Sequence, residues 1–300
     1  MANYFSIFLV LISLITGIVW LVYALVFAPK KDALVMADDS STEAPIGSKT
    51  SEQAALNSAT EMPAWVDFCK QMFPIFFGVM VFRSFIYEPF QIPSGSMFPT
   101  LLVGDFLLVE KFAYSLKDPV ARKELVNTGD VKRGDVVVFK YPDDPRIDYI
   151  KRVVGLPGET VIYQNKQIFI QSPCGGDVAC EPAKPVSLKS LGKANSAEHG
   201  AAYNLFSEQL GDVEHQILRN PNADRRRPGK YVIPEGHYMV FGDNRDNSLD
   251  SRAWGYVPEE NIVGKAVFVW MSFEFEREPD DFLPSFIPTG VRFERIGTIE

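Results

Sequence analysis

The run from Tyr4 to Ala28, YFSIFLVLISLITGIVWLVYALVFA, holds no charged residue across 25 positions. A bilayer's hydrocarbon core takes about 20 such residues as a helix. The run therefore predicts a transmembrane helix over 4–28, and whatever follows is tethered to a membrane. A cleaved targeting segment fits less well. No Lys or Arg precedes the run, and it exceeds the roughly 7–15 apolar residues of such a core. Trp65 to Tyr87, WVDFCKQMFPIFFGVMVFRSFIY, predicts a second span over 65–87. Its charge-free core is short, but Lys70 and Arg83 stand where long cationic side chains reach the interface. An interfacial or buried amphipathic helix is the competing expectation.

Nothing basic precedes the first span, whereas Lys30 and Lys31 follow it and Lys70 begins the second. The positive-inside rule then places residues 29–63 in the cytoplasm and both chain ends outside. The acidic residues of that segment, and Arg83 on the far side, oppose the assignment. Residues 29–63 are rich in Ser, Thr, Ala and acids without periodicity, which predicts a flexible connector.

From residue 88 to 300 the pattern turns to β. Short runs such as DFLLVEKF, GDVVVFKY, YIKRVVG, HYMVFG and KAVFVWMSF are rich in Val, Ile, Phe and Tyr, with Gly, Pro and Asp between them. Gln164 to Gln167 and EQLGDVEHQIL look like hairpins. The expected architecture is two N-terminal transmembrane helices, then an external all-β domain of mostly antiparallel, coiled sheet. A variable insert occupies about 171–230.

A net charge of −8 argues against nucleic acid as a partner, because phosphate binding needs a basic face. Arg225 to Arg227 lie between turn signals and read as a solvated loop. Cys174 and Cys180 flank GGDVA and are a disulfide candidate if this domain faces an oxidising compartment; two free thiols are the alternative. Cys69 reads as a small apolar filler. Three cysteines at these spacings do not suggest zinc.

The chemistry begins at QIPSGSMFPTLLVGD, Gln91 to Asp105. It sets Ser94 and Ser96 in a tight turn bracketed by Pro93 and Pro99, shortly after the second span. Ser-Gly-Ser is ordinary turn vocabulary. Near a membrane surface, however, a hydroxyl at Ser94 and the N–H of Ser96 could form an oxyanion hole. A nucleophilic serine needs a base, and the three histidines, His199, His215 and His237, lie in no chemical-looking motif.

Lys151, in RIDYIKRVVGLPGE, is the best remaining base. Strand alternation puts it with Tyr149 and Val153, and turns Arg152 to the other face. A free lysine has a pKa of about 10.4, so work near pH 7–8 needs a fall of about 2.5–3 units, which burial can supply. A carboxylate nearby would act the other way, so Asp148 must point elsewhere. The plain alternative is an edge-strand lysine that discourages aggregation.

The third element is GDNRDNSLDSRAWGYVP, Gly242 to Pro258. Its oxygen-rich side chains make calcium a rival, but the EF-hand spacing is missing and Arg245 and Arg252 add positive charge. Asp250 and Arg252 read as an ion pair. Ser248 could orient a neutral lysine. Ser190-Leu-Gly-Lys193 matches an S-x-x-K string but lies in the insert without the motifs that accompany it in penicillin-binding enzymes.

These elements, in this order behind two spans, resemble bacterial type I signal peptidase. The resemblance runs through FRSFIYEPFQIPSGSMFPTLLVGDFLLVEKFAYSLKDP, GDVVVFKYP, DYIKRVVGLPGE and GDNRDNSLDSRAWGYVPEENIVGKA, about half of the external domain. It implies a membrane-anchored serine endopeptidase that removes signal peptides from exported preproteins, cutting after small residues at −1 and −3. Ser96 would be the nucleophile and Lys151 the general base. Ser248 would position the amine, Ser94 and the Ser96 N–H would hold the oxyanion, and Asp250 and Arg252 would brace the site. Phe90, Ile92, Met97, Tyr149 and Ile150 would line the substrate pockets. No cofactor or metal is implied. The expected partners are preproteins, the lipid bilayer and, nearby, the secretion translocon. The expected place is the bacterial inner membrane, with the catalytic domain in the periplasm. The rival functions are a Ser/Lys maturase of one membrane-bound substrate and a non-enzymatic periplasmic adaptor.

Overall fold

The computed structural model describes residues 2–26, 62–174, 180–194, 203–223, 228–275, 284 and 287–299. Most of the expected 29–63 connector and the Arg225–Arg227 run lie outside the described residues. The chain divides into a helical unit and a β unit.

In the helical unit, α1 (Ala2–Val26) and α2 (Ala64–Val81) are both long and apolar enough to cross a membrane. They pack antiparallel. Near the start of α1, Ser6 accepts a hydrogen bond from Arg83, just past the end of α2, and Arg83 also lies over the Phe5 ring. Further along, Trp20 meets Phe73 at 5.7 Å between ring centroids. A π-helical turn, Phe82–Ile86, extends α2.

The β unit is built in chain order from β1 (Tyr87–Gln91), β2 (Asp105–Glu110), β3 (Ser115–Lys117), β4 (Glu124–Asn127), β5 (Val136–Tyr141) and β6 (Asp144–Gly155). Next come β7 (Thr160–Gln164), β8 (Gln167–Gln171), β9 (Lys184–Pro185), β10 (Ser187–Lys193), β11 (Asn204–Leu210) and β12 (Val213–Arg219). The last are β13 (Gly229–Val232), β14 (His237–Phe241), β15 (Val257–Pro258), β16 (Ile262–Glu274), β17 (Gly290–Val291) and β18 (Gly297–Thr298). One helical turn, α3 (Ser251–Trp254), interrupts them.

The main sheet runs β1-β2-β16-β5-β6-β14-β15, with β17 and β18 also on β16. Its pairings are antiparallel, as the alternating runs predict. Both hairpins form. Gln164 pairs Gln167 across Asn165 and Lys166, both at positive φ, as a tight two-residue turn requires. Leu210 pairs Val213 across Gly211 and Asp212. The insert folds as its own β10-β11-β12 sheet.

Strands buried on both faces lose the simple alternation. Val136 to Lys140 are all buried, and so are Lys151 to Gly155. Among the described residues four apolar clusters fill the unit: around Val137, Phe139 and Val153; around Val154, Val161 and Phe241; around Val109, Val138 and Val263; and around Ile92, Met97, Leu101 and Leu107. The last lies directly under the serine turn.

Candidate active site

The serine turn is fixed from below. After β1, Ile92 N donates to Asp105 O, and Gly104 N returns a bond to Ile92 O, at 2.9 and 3.0 Å. The chain then enters a 3₁₀ turn, Gly95–Met97. Met97 drops into the core at 0% exposure, which holds Ser96 half-exposed above it. Ser94 is exposed, its Oγ 3.4 Å from that of Ser96.

Lys151 approaches from β6, where it pairs with Val137. Its Nζ is hydrogen-bonded to Ser96 Oγ at 2.7 Å and donates to Ile150 O at 2.8 Å. The Tyr149 ring centre is 5.5 Å away. Burial pushes the lysine down to about 8, against the upward pull of Asp250 and Asp243. Asp148 pairs with Lys140 at 2.8 Å.

The surroundings of Lys151 are thus less apolar than alternation suggests, because two carboxylates act on it. Each is held by an arginine. Arg152 reaches Asp243 through Nε at 3.0 Å and its terminal nitrogen at 2.9 Å, fully buried. Arg252 grips Asp250 at 2.8 and 2.7 Å. Burial alone would raise both carboxyls, but their arginines hold them below the ordinary range. These acids are occupied by cations of the chain itself, which weakens the calcium reading of the loop.

The loop Gly242–Asp250, between β14 and α3, does more than the sequence reading assigned to it. Asn244 N donates to Ser96 O at 3.1 Å, and Asn244 Nδ2 donates to Gly95 O at 3.0 Å. Thr100 Oγ1 donates to Asp243 at 2.5 Å. Gly242 N donates to Asp250 at 3.1 Å. A Cβ on Gly242 would overlap both the Ser248 side chain and the Ser96 carbonyl, so only glycine fits there. Ser248 is buried, and its hydroxyl helps hold down the Asp250 carboxyl. Asp243, Asn244, Gly242 and Arg152 were not singled out as site residues from sequence. The available signal was a Gly-Asp-Asn directly after a buried strand.

Ser94, Ser96, Tyr149, Ile150, Lys151 and Ser248 line one open cleft of about 670 Å³. A second hollow of about 30 Å³ adjoins it, sharing Tyr149 and Ile150 and adding Phe90, Ile92 and Val138. Met97, also expected in a substrate pocket, is buried beneath the turn in the cluster with Ile92, Leu101 and Leu107. Cys174 and Cys180 are disulfide-bonded, with Cα atoms 4.9 Å apart. Ser190 and Lys193 lie on β10 of the insert.

A buried amine hydrogen-bonded to a half-exposed serine can deliver general-base catalysis of acyl transfer. Comparisons with known proteins show the family. The family model "Signal peptidase, peptidase S26" matches residues 65–271. The chain is 41% identical to Signal peptidase I of Pseudomonas fluorescens over 96% of this chain and 98% of that one. It is 38% identical to Signal peptidase I of Buchnera aphidicola subsp. Acyrthosiphon pisum, over the whole of both. It is 34% identical to Signal peptidase I of Haemophilus influenzae over 99% of this chain and 92% of that one. This breadth favours signal-peptide removal over the maturase and adaptor alternatives. With the matched segment spanning the second apolar helix and the whole Ser96–Lys151 cleft, the chain belongs to the signal peptidase family, peptidase S26, and is a membrane-anchored protease that removes signal peptides.

Proposed function

We propose that Ser96 attacks the scissile carbonyl of a signal peptide and that neutral Lys151 takes its proton. The observation that carries this is the 2.7 Å hydrogen bond between Lys151 Nζ and Ser96 Oγ, with the lysine only 4% exposed. The N–H bond to Ile150 O fixes the amine's orientation, leaving its lone pair for the serine hydroxyl. Ser94 Oγ and the Ser96 N–H supply donors to the oxyanion. Ser248, which lines the same cleft as Lys151 and bonds Asp250, helps place the amine. Lys151 then protonates the leaving amine and activates the water that releases the acyl group.

The small hollow between Phe90, Ile92 and Ile150 suits a methyl-sized side chain, which supports cleavage after small residues at −1 and −3. We place the protein in the bacterial inner membrane with the β domain in the periplasm and residues 29–63 as its cytoplasmic connector. The Cys174–Cys180 disulfide supports an oxidising compartment. There it would meet preproteins in the bilayer, close to the translocon that delivers them.

The test is a preprotein carrying an Ala-x-Ala site, presented in detergent–lipid micelles, with the N-terminus of the product sequenced. Wild type is expected to cut after the second Ala, and Ser96→Ala to leave the substrate intact. Cleavage by a folded Ser96→Ala protein would remove Ser96 from the mechanism.

A further inference from the structure

The loop segment Asp243-Asn244-Arg245 runs from a bend into a turn, which Asn247 N closes on Asn244 O at 3.0 Å, and it faces two different partners. On one side, Asn244 holds the serine turn through its backbone N–H and its amide. On the other, the segment pairs with β12 of the insert. Leu218 N donates to Asp243 O at 2.9 Å, and Arg245 N donates to Leu218 O at 3.0 Å, a parallel bridge. The segment is thus joined to the insert by a single bridge and to the serine turn by Asn244. Asn220 N caps its far end on Asp246 at 2.9 Å.

The Arg245 side chain extends the attachment to β11. Its guanidinium makes a bidentate pair with Glu208, at 2.7 Å through one nitrogen and closer still through the other. Both residues are 1% exposed. His215 on β12 lies beside them, 3.4 Å from Glu208 and 3.8 Å from Asp243. Arg252 reaches the Arg245 carbonyl at 2.7 Å, so this joint also touches the arginine that grips Asp250.

Stability alone does not account for such a pair, because apolar residues of similar size usually serve a core as well or better. What an apolar pair lacks is the fixed fork-to-carboxylate geometry, which sets register. We propose that Glu208 is a positioning residue for Ser96: by fixing Arg245 against the insert, it holds Asn244 where it keeps the serine turn at Lys151. This gives the β11–β12 hairpin of the variable insert a function in catalysis. It rests on the Ser96–Lys151 reading above.

The test uses the full chain in detergent–lipid micelles, with the Ala-x-Ala preprotein. Glu208→Gln strands the arginine and is expected to lower both thermal stability and kcat. The double variant Glu208→Leu with Arg245→Met removes both charges. It is expected to regain the thermal midpoint while kcat stays down about 10- to 100-fold, the scale of a sub-ångström to ångström misplacement. KM should stay near wild type, and the acid limb of the rate profile should move, because Asp243 shifts relative to Lys151. A double variant that regains both stability and kcat would overturn the proposal. Should it not fold, Glu208→Asp decides, since it keeps the charge but shortens the arm. Lowered kcat at an unchanged midpoint supports the proposal, and unchanged kcat overturns it. Ser96→Ala and Lys151→Ala run alongside: activity in either removes the underlying reading, whereas two dead controls beside a fully active double variant remove only the role of Glu208.

Discussion

Lys151 Nζ lies 2.7 Å from Ser96 Oγ although one residue comes from strand β6 and the other from a 3₁₀ turn 55 positions earlier. The lysine is buried, and both carboxylates that act on it are already committed to arginines. Burial therefore outweighs attraction and the amine falls to about 8.

That value predicts the pH dependence of cleavage. The base works only when neutral, so kcat/KM should rise with pH and level off above about 8. At pH 6 only about 1% of the amine is neutral, and the rate should be down about 100-fold from the plateau. A steady-state profile from pH 5.5 to 9.5 measures this. A profile flat across pH 6–8 would contradict it.

Gly242 has no room for a side chain. Gly242→Ala should push apart the Ser96 carbonyl and Ser248. A loss of about 1–3 kcal/mol is expected from overpacking, with kcat reduced about 100-fold. Denaturant titration and initial rates on the same preparation measure both.

Ile150 borders both the cleft and the small hollow. Ile150→Ala should enlarge that hollow and relax selection. A preprotein with Val in place of Ala at −1 should gain at least about tenfold relative to the Ala substrate. An unchanged ratio would move the selecting pocket elsewhere.

The buried network behind the site predicts sensitivity to acid. Glu208 is buried, which alone would raise it, but Arg245 holds it down to about 2. Its contribution is full above its ordinary 4.5 and is lost as pH falls toward about 2. Burial also lowers His215 from 6.5, so below that pH the unfolded chain takes up the proton more readily. Both act in one direction. Unfolding free energy should fall steadily as pH drops from about 6.5, and urea titrations at pH 7, 5 and 4 measure the slope.

Much of this was legible in the sequence because it depends on local pattern. Two long apolar runs, the first without charge, gave two long helices, and turn residues gave the hairpins at Asn165-Lys166 and Gly211-Asp212. Alternation put Lys151 and Arg152 on opposite sides. What was not legible depends on contacts remote in sequence. Asn244 meets Gly95 across 149 positions, and nothing in the loop's composition distinguishes it from Asn247. Met97 is placed near a pocket by family resemblance alone, and its burial under the turn depends on a sheet built from remote strands. The contribution of the insert is not legible because its contacts with the loop, the Leu218 bridge and the Glu208–Arg245 pair, join positions remote in sequence.

The central claim is that a buried lysine activates Ser96, and the most direct measurement is cleavage of the Ala-x-Ala preprotein by Lys151→Ala at pH 8. Circular dichroism and the thermal midpoint would establish that the variant is folded. The account predicts a folded protein with no detectable cleavage. A folded Lys151→Ala protein that cuts at a rate comparable to wild type would contradict it.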